Sequence, residues 1–222
     1  MNLATLSERS VETYGTYDFI IFEEKPYTNQ DMVRLSKQMA NAMTKLGIKR
    51  EDRIVVLIPN CPEVLISYLG LLRMGAAVVP VIYSIGPTEL AHVVQNSEAV
   101  AIITDSSLMP LVEKSTQNTP ALEHKILVDQ ADLDGTLCLH TLLQDANAEF
   151  ETVATADDDL AVLLYTSGTT GIPKGVMLTH LNLYSNADTA SQLNTDPKPI
   201  GLGFLPLSHS YGFTVMNASF LT

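Results

Sequence analysis

Cysteine is scarce in this sequence. The two cysteines, Cys61 and Cys138, lie far apart along 222 residues, and their spacing matches neither a zinc motif nor a disulfide framework. Residues 1–17 are polar and mixed, which is not the pattern of a secretory signal. We therefore expect a cytoplasmic protein that folds in a reducing environment without covalent or metal cross-links.

Basic residues are also few. The chain has 13 lysines and arginines against 25 aspartates and glutamates, which gives a formal net charge of -12. A nucleic-acid-binding surface needs clustered positive charge, so we expect no nucleic acid as a partner. Between Lys125 and Lys174 there is no lysine or arginine, whereas nine acidic residues occur. This stretch is typical of a solvated connector, and a metal site at Asp157, Asp158 and Asp159 is the alternative.

Long uninterrupted apolar runs are missing. The most apolar region, Ile54 to Ile85, is broken by prolines and by polar or charged residues. A membrane-spanning helix needs about 20 consecutive apolar residues, so we expect no transmembrane segment. The interrupting residues are Pro59, Asn60, Pro62, Glu63 and Arg73.

Helical and strand-like patterns alternate along the chain. Apolar residues recur at three- and four-residue intervals from Met32 to Leu46, which predicts a helix capped by Thr28 and ended by Gly47. A buried strand is predicted next, at residues 53–58. Such alternation is typical of parallel βαβ units, so we predict an α/β fold with a mainly parallel sheet. Further helices are predicted at 62–74, 87–96, 106–115 and from Thr179 to about 193, and further strands at 76–82, 99–104, 125–128, 160–165 and 201–205.

The acidic segment at residues 129–159 is weakly periodic and is the predicted junction between two subdomains. We expect a first α/β subdomain at residues 1–155 and the start of a second at residues 156–222. The sequence ends within an apolar segment, "PLSHSYGFTVMNASFLT", without a helix terminator or a polar tail. Domains more often end at an exposed, capped boundary, so we expect the second subdomain to be truncated.

A loop rich in glycine and hydroxyl groups follows the predicted strand at residues 160–165. The stretch "YTSGTTGIPKGV", Tyr165 to Val176, contains three glycines and a single lysine, Lys174. Glycines allow backbone N–H groups to turn toward an anion, while the hydroxyls and the lysine add neutral and charged donors. Ligands of open α/β sheets bind at the carboxyl ends of the strands. These features predict a phosphate-binding loop, and a surface loop of turn-forming residues is the alternative.

Two familiar phosphate motifs do not fit this loop. A Walker A motif ends in Gly-Lys followed by Ser or Thr, whereas Pro173, which has no N–H to donate, precedes Lys174 and Gly175 follows it. The dinucleotide pattern G-x-G-x-x-G is absent as well, because Gly168 and Gly171 are three residues apart. Neither of these two motifs therefore describes the loop.

The stretch "YTSGTTGIPKGVMLTH" closely resembles the phosphate-binding signature of the adenylate-forming (AMP-binding) superfamily, which includes acyl- and aryl-CoA synthetases, peptide-synthetase adenylation domains and luciferases. Residues 26–81, "PYTNQDMVRL" to "RMGAAVVPV", are similar to the opening of that superfamily's large N-terminal domain. "LPLSHSYGF", Leu205 to Phe213, resembles the P-L-x-H-x-x-G segment of CoA-forming members, with Ser208 where an aromatic residue is frequent. The resemblance covers almost the whole chain and favours the CoA synthetase branch.

The resemblance implies an ATP-dependent acid–thiol ligase. In such enzymes a carboxylate attacks the α-phosphate of Mg-ATP, giving an acyl-adenylate and pyrophosphate, and a thiol, commonly that of CoA, then takes the acyl group. The implied cofactors are ATP, Mg²⁺ and coenzyme A, and the implied partner is a small carboxylic acid. A carboxylate is ionised at neutral pH, so the first step needs no general base, and preorganised donors carry the catalysis.

Site residues follow from the same resemblance. Lys174 and His209 are the implied catalytic residues, and His209 corresponds to a pocket histidine near the carboxylate and the thiol route. Tyr211 and Gly212 are expected to shape the acyl pocket, whereas His92 and His180 are expected to be structural. No metal ligand is assigned. The implied nucleotide-binding residues are Thr166, Ser167, Gly168, Thr169, Thr170, Gly171 and Lys174.

Parts of the family pattern are expected beyond Thr222: the adenine-binding segment, the acidic magnesium ligand, the ribose-binding aspartate, the hinge and the mobile C-terminal domain. We therefore expect the chain to be inactive alone. A non-catalytic nucleotide-binding module and a purely structural βα domain are the alternatives. Both fatty and aromatic acids are open as substrates, and the likeness of "PLSHSYGF" to fatty acyl-CoA ligases favours a fatty acid. The acceptor thiol and the oligomeric state are also open.

Overall fold

The computed structural model describes residues 1–129, 133–166, 172–193 and 200–222. Within these ranges, helices and strands alternate along the chain as predicted. The helices are α1 (Thr5–Tyr14), α2 (Asn29–Lys45), α3 (Pro62–Arg73), α4 (Pro87–Ser97), α5 (Met109–Ser115), α6 (Leu139–Gln144), α7 (His180–Gln192) and α8 (Ser210–Ala218). The strands are β1 (Asp18–Phe22), β2 (Lys25–Thr28), β3 (Arg53–Leu57), β4 (Ala77–Pro80), β5 (Ala101–Thr104), β6 (His124–Leu127), β7 (Leu137–Cys138), β8 (Leu160–Thr166) and β9 (Lys174–Thr179).

Local signals fix several of the helix ends. The hydroxyl of Thr28 accepts a hydrogen bond from the Asp31 N–H at 3.0 Å, and the Asp31 carboxylate accepts one from the Thr28 N–H at 3.1 Å. This capping box satisfies two N–H groups that have no partner within α2. Gly75 follows α3 with a φ of 76°, a left-handed conformation that glycine adopts without steric cost.

Seven strands form one sheet in the order β7-β6-β5-β3-β4-β8-β9. Every neighbouring pair is parallel except β8 and β9, which are antiparallel. The predicted α/β class with a mainly parallel sheet is confirmed. The reversal at β9 has a simple cause, because a parallel connection needs a crossover of a dozen or more residues, whereas only residues 167–173 separate β8 from β9. Strands β1 and β2 form a separate antiparallel pair.

The central strands of the sheet are buried on both faces. Ile54 and Val56 of β3 belong to a large apolar core that includes residues of α1, α2 and α3, whereas Val55 and Leu57 belong to a second core with residues of α4 and α5. Successive side chains of a strand point to opposite faces, so one continuous apolar run supplies both cores. Burial on both faces explains why polar and apolar residues do not alternate along β3. In the described ranges, no helix combines the length and the apolar character that crossing a membrane requires.

A buried arginine joins three parts of the chain. Arg73, the last residue of α3, is fully buried and donates hydrogen bonds to the hydroxyls of Ser7 and Ser36, each at 2.8 Å. It also donates to the Thr152 hydroxyl at 2.7 Å and forms an ion pair with Glu8 at 3.1 Å. A buried charge is tolerated when it is paired and hydrogen-bonded in this way. Arg73 therefore holds α1, α2 and the segment before β8 against α3.

Two sequence predictions need correction. Residues 201–205 form no strand, because no strand in the described ranges pairs with their backbone. Instead, the carbonyls of Gly203 and Leu205 accept hydrogen bonds from the side chain of Asn60. The acidic segment at residues 129–159 is more than a connector, since it contains β7 and α6. Helix α6 buries Leu139 and Leu143 in the larger core, a contribution that the surrounding acidic residues conceal in the sequence. The boundary between residues 155 and 156 stays a prediction.

Candidate functional site

The carboxyl edge of the sheet brings the predicted phosphate-loop ends together. Strand β8 runs parallel to β4, with Val162 paired to Val78, so Thr166 at its end lies at the edge where the other parallel strands also end. The antiparallel register of β8 and β9 places Lys174 directly opposite Thr166. Both residues are exposed. The predicted strand before the loop is thus confirmed. The two ends of the loop carry one hydroxyl group, that of Thr166, and one ammonium group, that of Lys174, at paired positions.

Five of the predicted nucleotide-binding residues lie outside the described residues: Ser167, Gly168, Thr169, Thr170 and Gly171. Their roles stay predictions. Gly175, the remaining glycine of the stretch, lies within β9 opposite Tyr165. A Cβ atom there would come within 3.0 Å of the Leu163 side chain and 3.2 Å of the Tyr165 ring. Gly175 therefore allows close packing of the two strands.

Lys174 is electrostatically available. Its side chain is exposed, and among the described residues it forms no ion pair with a carboxylate. A lysine ammonium is a flexible point charge with three donors, and nothing in the described part of the chain neutralises it. The group can therefore contact an anion at the carboxyl edge.

Asn60 was missed by the sequence analysis as a site residue. It follows β3, and its Nδ2 donates to the carbonyl of Leu205 at 2.7 Å and to that of Gly203 at 3.3 Å, while its Oδ1 accepts from the N–H of Leu207 at 2.9 Å. The side chain thus pairs with the backbone as a neighbouring strand would. The available signal was an asparagine between two prolines directly after a buried strand, in "IPNCPE".

These hydrogen bonds hold the segment before His209 next to the residues that follow β3. His209 lies two residues beyond the clamped segment and caps α8, where its Nδ1 accepts a hydrogen bond from the Tyr211 N–H at 3.2 Å. The ring is exposed. Two strands, β4 and β8, separate β3 from β9, so the ends of β3 and β9 are about 14 Å apart across the sheet. The catalytic roles of Lys174 and His209 stay predictions.

Tyr211 and Gly212 differ in their surroundings. Tyr211 is 57% exposed, so its ring is free to contact a ligand. Gly212 is buried, and a Cβ atom there would lie 2.2 Å from the Pro206 carbonyl oxygen and 2.8 Å from the Leu207 Cα. The residue lets α8 approach the preceding backbone closely. Packing beneath this helix is aromatic, since Phe213 stacks on Tyr68 with ring centroids 4.5 Å apart.

The other histidines contact the protein itself. His180 is 1% exposed, and its Nδ1 accepts a hydrogen bond from the Leu3 N–H at 3.1 Å. Burial, together with the positive charge of the amino terminus, lowers the pKa of His180 to about 4, so the ring is neutral at pH 7. The Nε2 atoms of His92 and His124 lie 2.9 and 3.1 Å from the carbonyl oxygens of Pro173 and Leu46.

The acidic triplet at residues 157–159 makes contacts within the protein. Asp159 pairs with Arg50 at 2.7 Å, and Asp157 pairs with the amino group of Met1 at 2.9 Å. Throughout the described ranges, no group of three histidine, cysteine, aspartate or glutamate side chains could hold a metal ion. The metal-site alternative for this triplet therefore has no geometric support.

Comparisons with known proteins agree on one family. Residues 7–222 match the AMP-binding enzymes. The crotonobetaine/carnitine–CoA ligase of Salmonella paratyphi A is 30% identical over 94% of this chain and 42% of its own length. The long-chain-fatty-acid–CoA ligase of Bacillus subtilis is 32% identical over 90% of this chain and 41% of its own length. The chain thus spans about two fifths of these curated relatives.

Solved structures share the fold. The chain matches a long-chain-fatty-acid–CoA ligase, FadD1, from Archaeoglobus fulgidus over 100% of its length and 45% of that protein, with a TM-score of 0.86 and 24% identity. It matches MbtA from Mycobacterium smegmatis over 99% of its length and 42% of that protein, with a TM-score of 0.89 and 24% identity. Because the family match extends over nearly all of the sequence, this chain belongs to the AMP-binding enzyme family.

Proposed function

We propose that the protein containing this chain is an ATP-dependent carboxylate–CoA ligase, and that the chain supplies its phosphate-binding loop and part of its acyl site. The match to AMP-binding enzymes over residues 7–222 carries this proposal. The position of Lys174 opposite Thr166, at the carboxyl edge of a mainly parallel sheet, supports it.

The chemistry requires two anions to approach each other. A carboxylate attacks the α-phosphorus of ATP, the bond from that phosphorus to the bridging oxygen breaks, and pyrophosphate leaves with the electron pair. The products are an acyl-adenylate and pyrophosphate. Lys174 and the hydroxyl of Thr166 contact the β- and γ-phosphates in this proposal and stabilise the charge that develops on the leaving pyrophosphate. In the second step a thiolate replaces AMP on the acyl carbon, and His209 borders the route of that thiol.

Magnesium enters with the nucleotide. Mg²⁺ is usually bound by substrate phosphates, waters and one or two carboxylates, and the described residues provide no ready cluster for it. We therefore assign no magnesium ligand within the described ranges. When bound, the ion neutralises part of the triphosphate charge, a task that Lys174 shares.

A fatty acid is the substrate class that we favour. The relative from Bacillus subtilis is a long-chain-fatty-acid–CoA ligase. Leu202, Phe204 and Tyr211 lie within seven residues of His209 in the sequence. Their side chains are 86%, 72% and 57% exposed, and apolar side chains of this kind are suited to contact with an acyl chain. We place the protein in the cytoplasm because both of its cysteines, Cys61 and Cys138, are free, as expected in a reducing compartment.

Calorimetry with magnesium ATP and with pyrophosphate tests the phosphate site in this chain. We expect saturable binding that weakens about ten- to a hundredfold in Lys174→Ala, since a hydrogen bond to a charged group contributes about 1.5–3 kcal/mol. Lys114→Ala removes the same charge from an exposed position on α5 and should bind like the wild type. Equal binding by Lys174→Ala and wild type would contradict the assignment of Lys174.

Activity is tested in the longer protein. Exchange of labelled pyrophosphate into ATP should depend on an added carboxylic acid, and fatty and aromatic acids can be compared in the same assay. The 222-residue chain alone should show no exchange. Pyrophosphate binding by the chain combined with no acid-dependent exchange in the longer protein would favour a non-catalytic nucleotide-binding module.

A further inference from the structure

Helix α4 contacts the end of β8 and the residue just before β9, the strand that begins at Lys174. His92 and Asn96 are four residues apart, so they lie on the same face of α4. The Nε2 atom of His92 is 2.9 Å from the carbonyl oxygen of Pro173. The Oδ1 atom of Asn96 accepts a hydrogen bond from the Tyr165 hydroxyl at 2.7 Å. One helix face therefore holds the last part of β8 and the residue before β9.

In the contact between His92 and Pro173, the chemistry of the two atoms decides which one donates the hydrogen bond. A carbonyl oxygen can only accept, so the His92 ring must carry a proton on Nε2 and donate it. The ring also lies edge-to-face with Tyr165, with centroids 6.3 Å apart and an interplanar angle of 88°. His92 is half-buried, and its hydrogen bond is correspondingly better shielded from water than the exposed bond between Tyr165 and Asn96.

These contacts lie one residue from the predicted phosphate contacts. Tyr165 precedes Thr166, and Pro173 precedes Lys174. Strand β9 is the last strand of the sheet within the described ranges, and its residues 174–177 are exposed. Besides the pairing of β9 with β8, the residue just before β9 is held by its contact with His92.

We propose that His92 is a positioning residue, which holds the start of β9 through the Pro173 carbonyl and so fixes where the Lys174 ammonium projects. Asn96 gives the same support to β8 through Tyr165. This inference rests on the proposed role of Lys174 in binding pyrophosphate. It assigns a function to a histidine that the sequence indicates only as a structural residue on a helix.

Two substitutions separate the hydrogen bond from the ring. His92→Phe keeps the aromatic contact with Tyr165 and removes the N–H donor. His92→Gln removes the ring but supplies an amide N–H at a similar distance from the backbone. His124→Phe is the matched control, because it removes another half-buried Nε2 contact to a carbonyl, that of Leu46.

The first measurement needs no ligand. Hydrogen–deuterium exchange of β9, residues 174–179, should be about two- to tenfold faster in His92→Phe than in the wild type, the loss expected for one hydrogen bond. His92→Gln should restore slow exchange, and His124→Phe should leave β9 unchanged. If His92→Phe does not fold, Tyr165→Phe deletes a single oxygen from the second contact and should loosen the same hairpin. Wild-type exchange in every folded variant of His92 and Tyr165 would overturn the proposal.

The second measurement is the affinity for pyrophosphate by calorimetry, with the unfolding temperature recorded for each variant. We expect binding about two- to tenfold weaker in His92→Phe, recovery in His92→Gln and no change in His124→Phe. Equal weakening in the Phe and Gln variants, together with equal losses of stability, would overturn the positioning role in favour of a purely structural one. If the wild type does not bind pyrophosphate, the proposed function fails, while the exchange data still decide whether His92 holds β9.

Discussion

Acidification should destabilise this fold through one buried histidine. His180 begins α7, and its ring is 1% exposed. The Nδ1 atom accepts a hydrogen bond from the Leu3 N–H, so protonation at that nitrogen would remove the acceptor and place a charge in an apolar environment. Two charged groups act on the ring besides burial: the amino terminus of Met1 opposes protonation and Asp159 favours it.

The size of this pH effect follows from the difference between the pKa of His180 in the folded chain and its pKa in the unfolded chain. Burial lowers the pKa of His180 from 6.5 to about 4 in the folded state. Below 6.5 the unfolded chain therefore binds a proton that the folded chain does not bind, and stability falls as the pH falls toward about 4. Protonation of His180 lowers the free energy of unfolding by about 3 kcal/mol in total, and about 2 kcal/mol of this is lost between about pH 8 and about pH 5.

Urea unfolding at a series of pH values measures this loss. Carboxylates also titrate as the pH falls, so the contribution of His180 is isolated by comparing the wild type with His180→Asn. The asparagine side-chain oxygen can accept the Leu3 hydrogen bond, but the side chain does not titrate. The variant should be less stable at neutral pH, because it leaves a cavity, but its stability should fall by about 2 kcal/mol less on going to about pH 5. Parallel stability curves for the two proteins would refute the reasoning.

Two further predictions concern the segment before α8. Asn60→Ala should destabilise the chain by about 1–3 kcal/mol, because it leaves the Leu207 N–H and two carbonyls without their partner. The comparison is Asn41→Ala, which removes two exposed hydrogen bonds and should destabilise the chain less. Equal urea midpoints for the two variants would contradict the role of Asn60 in holding residues 203–207. Gly212→Ala should cost about 1–3 kcal/mol through overpacking against backbone, whereas Gly203→Ala, with nothing within 4 Å of the added atom, should melt near the wild-type temperature. Similar melting temperatures for the two glycine variants would show that α8 can shift away from Pro206.

Local signals in the sequence were sufficient for most of the fold. The period of the apolar residues from Met32 to Leu46, with a cap at Thr28, predicted α2 to within a residue or two. Buried strands appeared as short apolar runs between breakers, as β3 does before Pro59. These predictions succeeded because caps, breakers and periodicity act within one or two turns of the chain.

Residues 201–205 show where the same reasoning failed. Their apolar pattern predicted a strand, but a strand also needs a neighbour to pair with its backbone. Asn60, more than 140 residues earlier in the chain, takes that role with its side chain. No local pattern could reveal this pairing, which holds the segment before His209.

The sequence by itself determined the α/β class, the strand before the phosphate loop and the family resemblance, because each depends on residues that are neighbours along the chain. Only the tertiary structure decided that β8 pairs with β4, that Asn60 holds the segment before His209 and that His92 contacts Pro173. Each of these contacts joins residues far apart in sequence. Their free energy depends on distance and direction in space, which the folded chain sets.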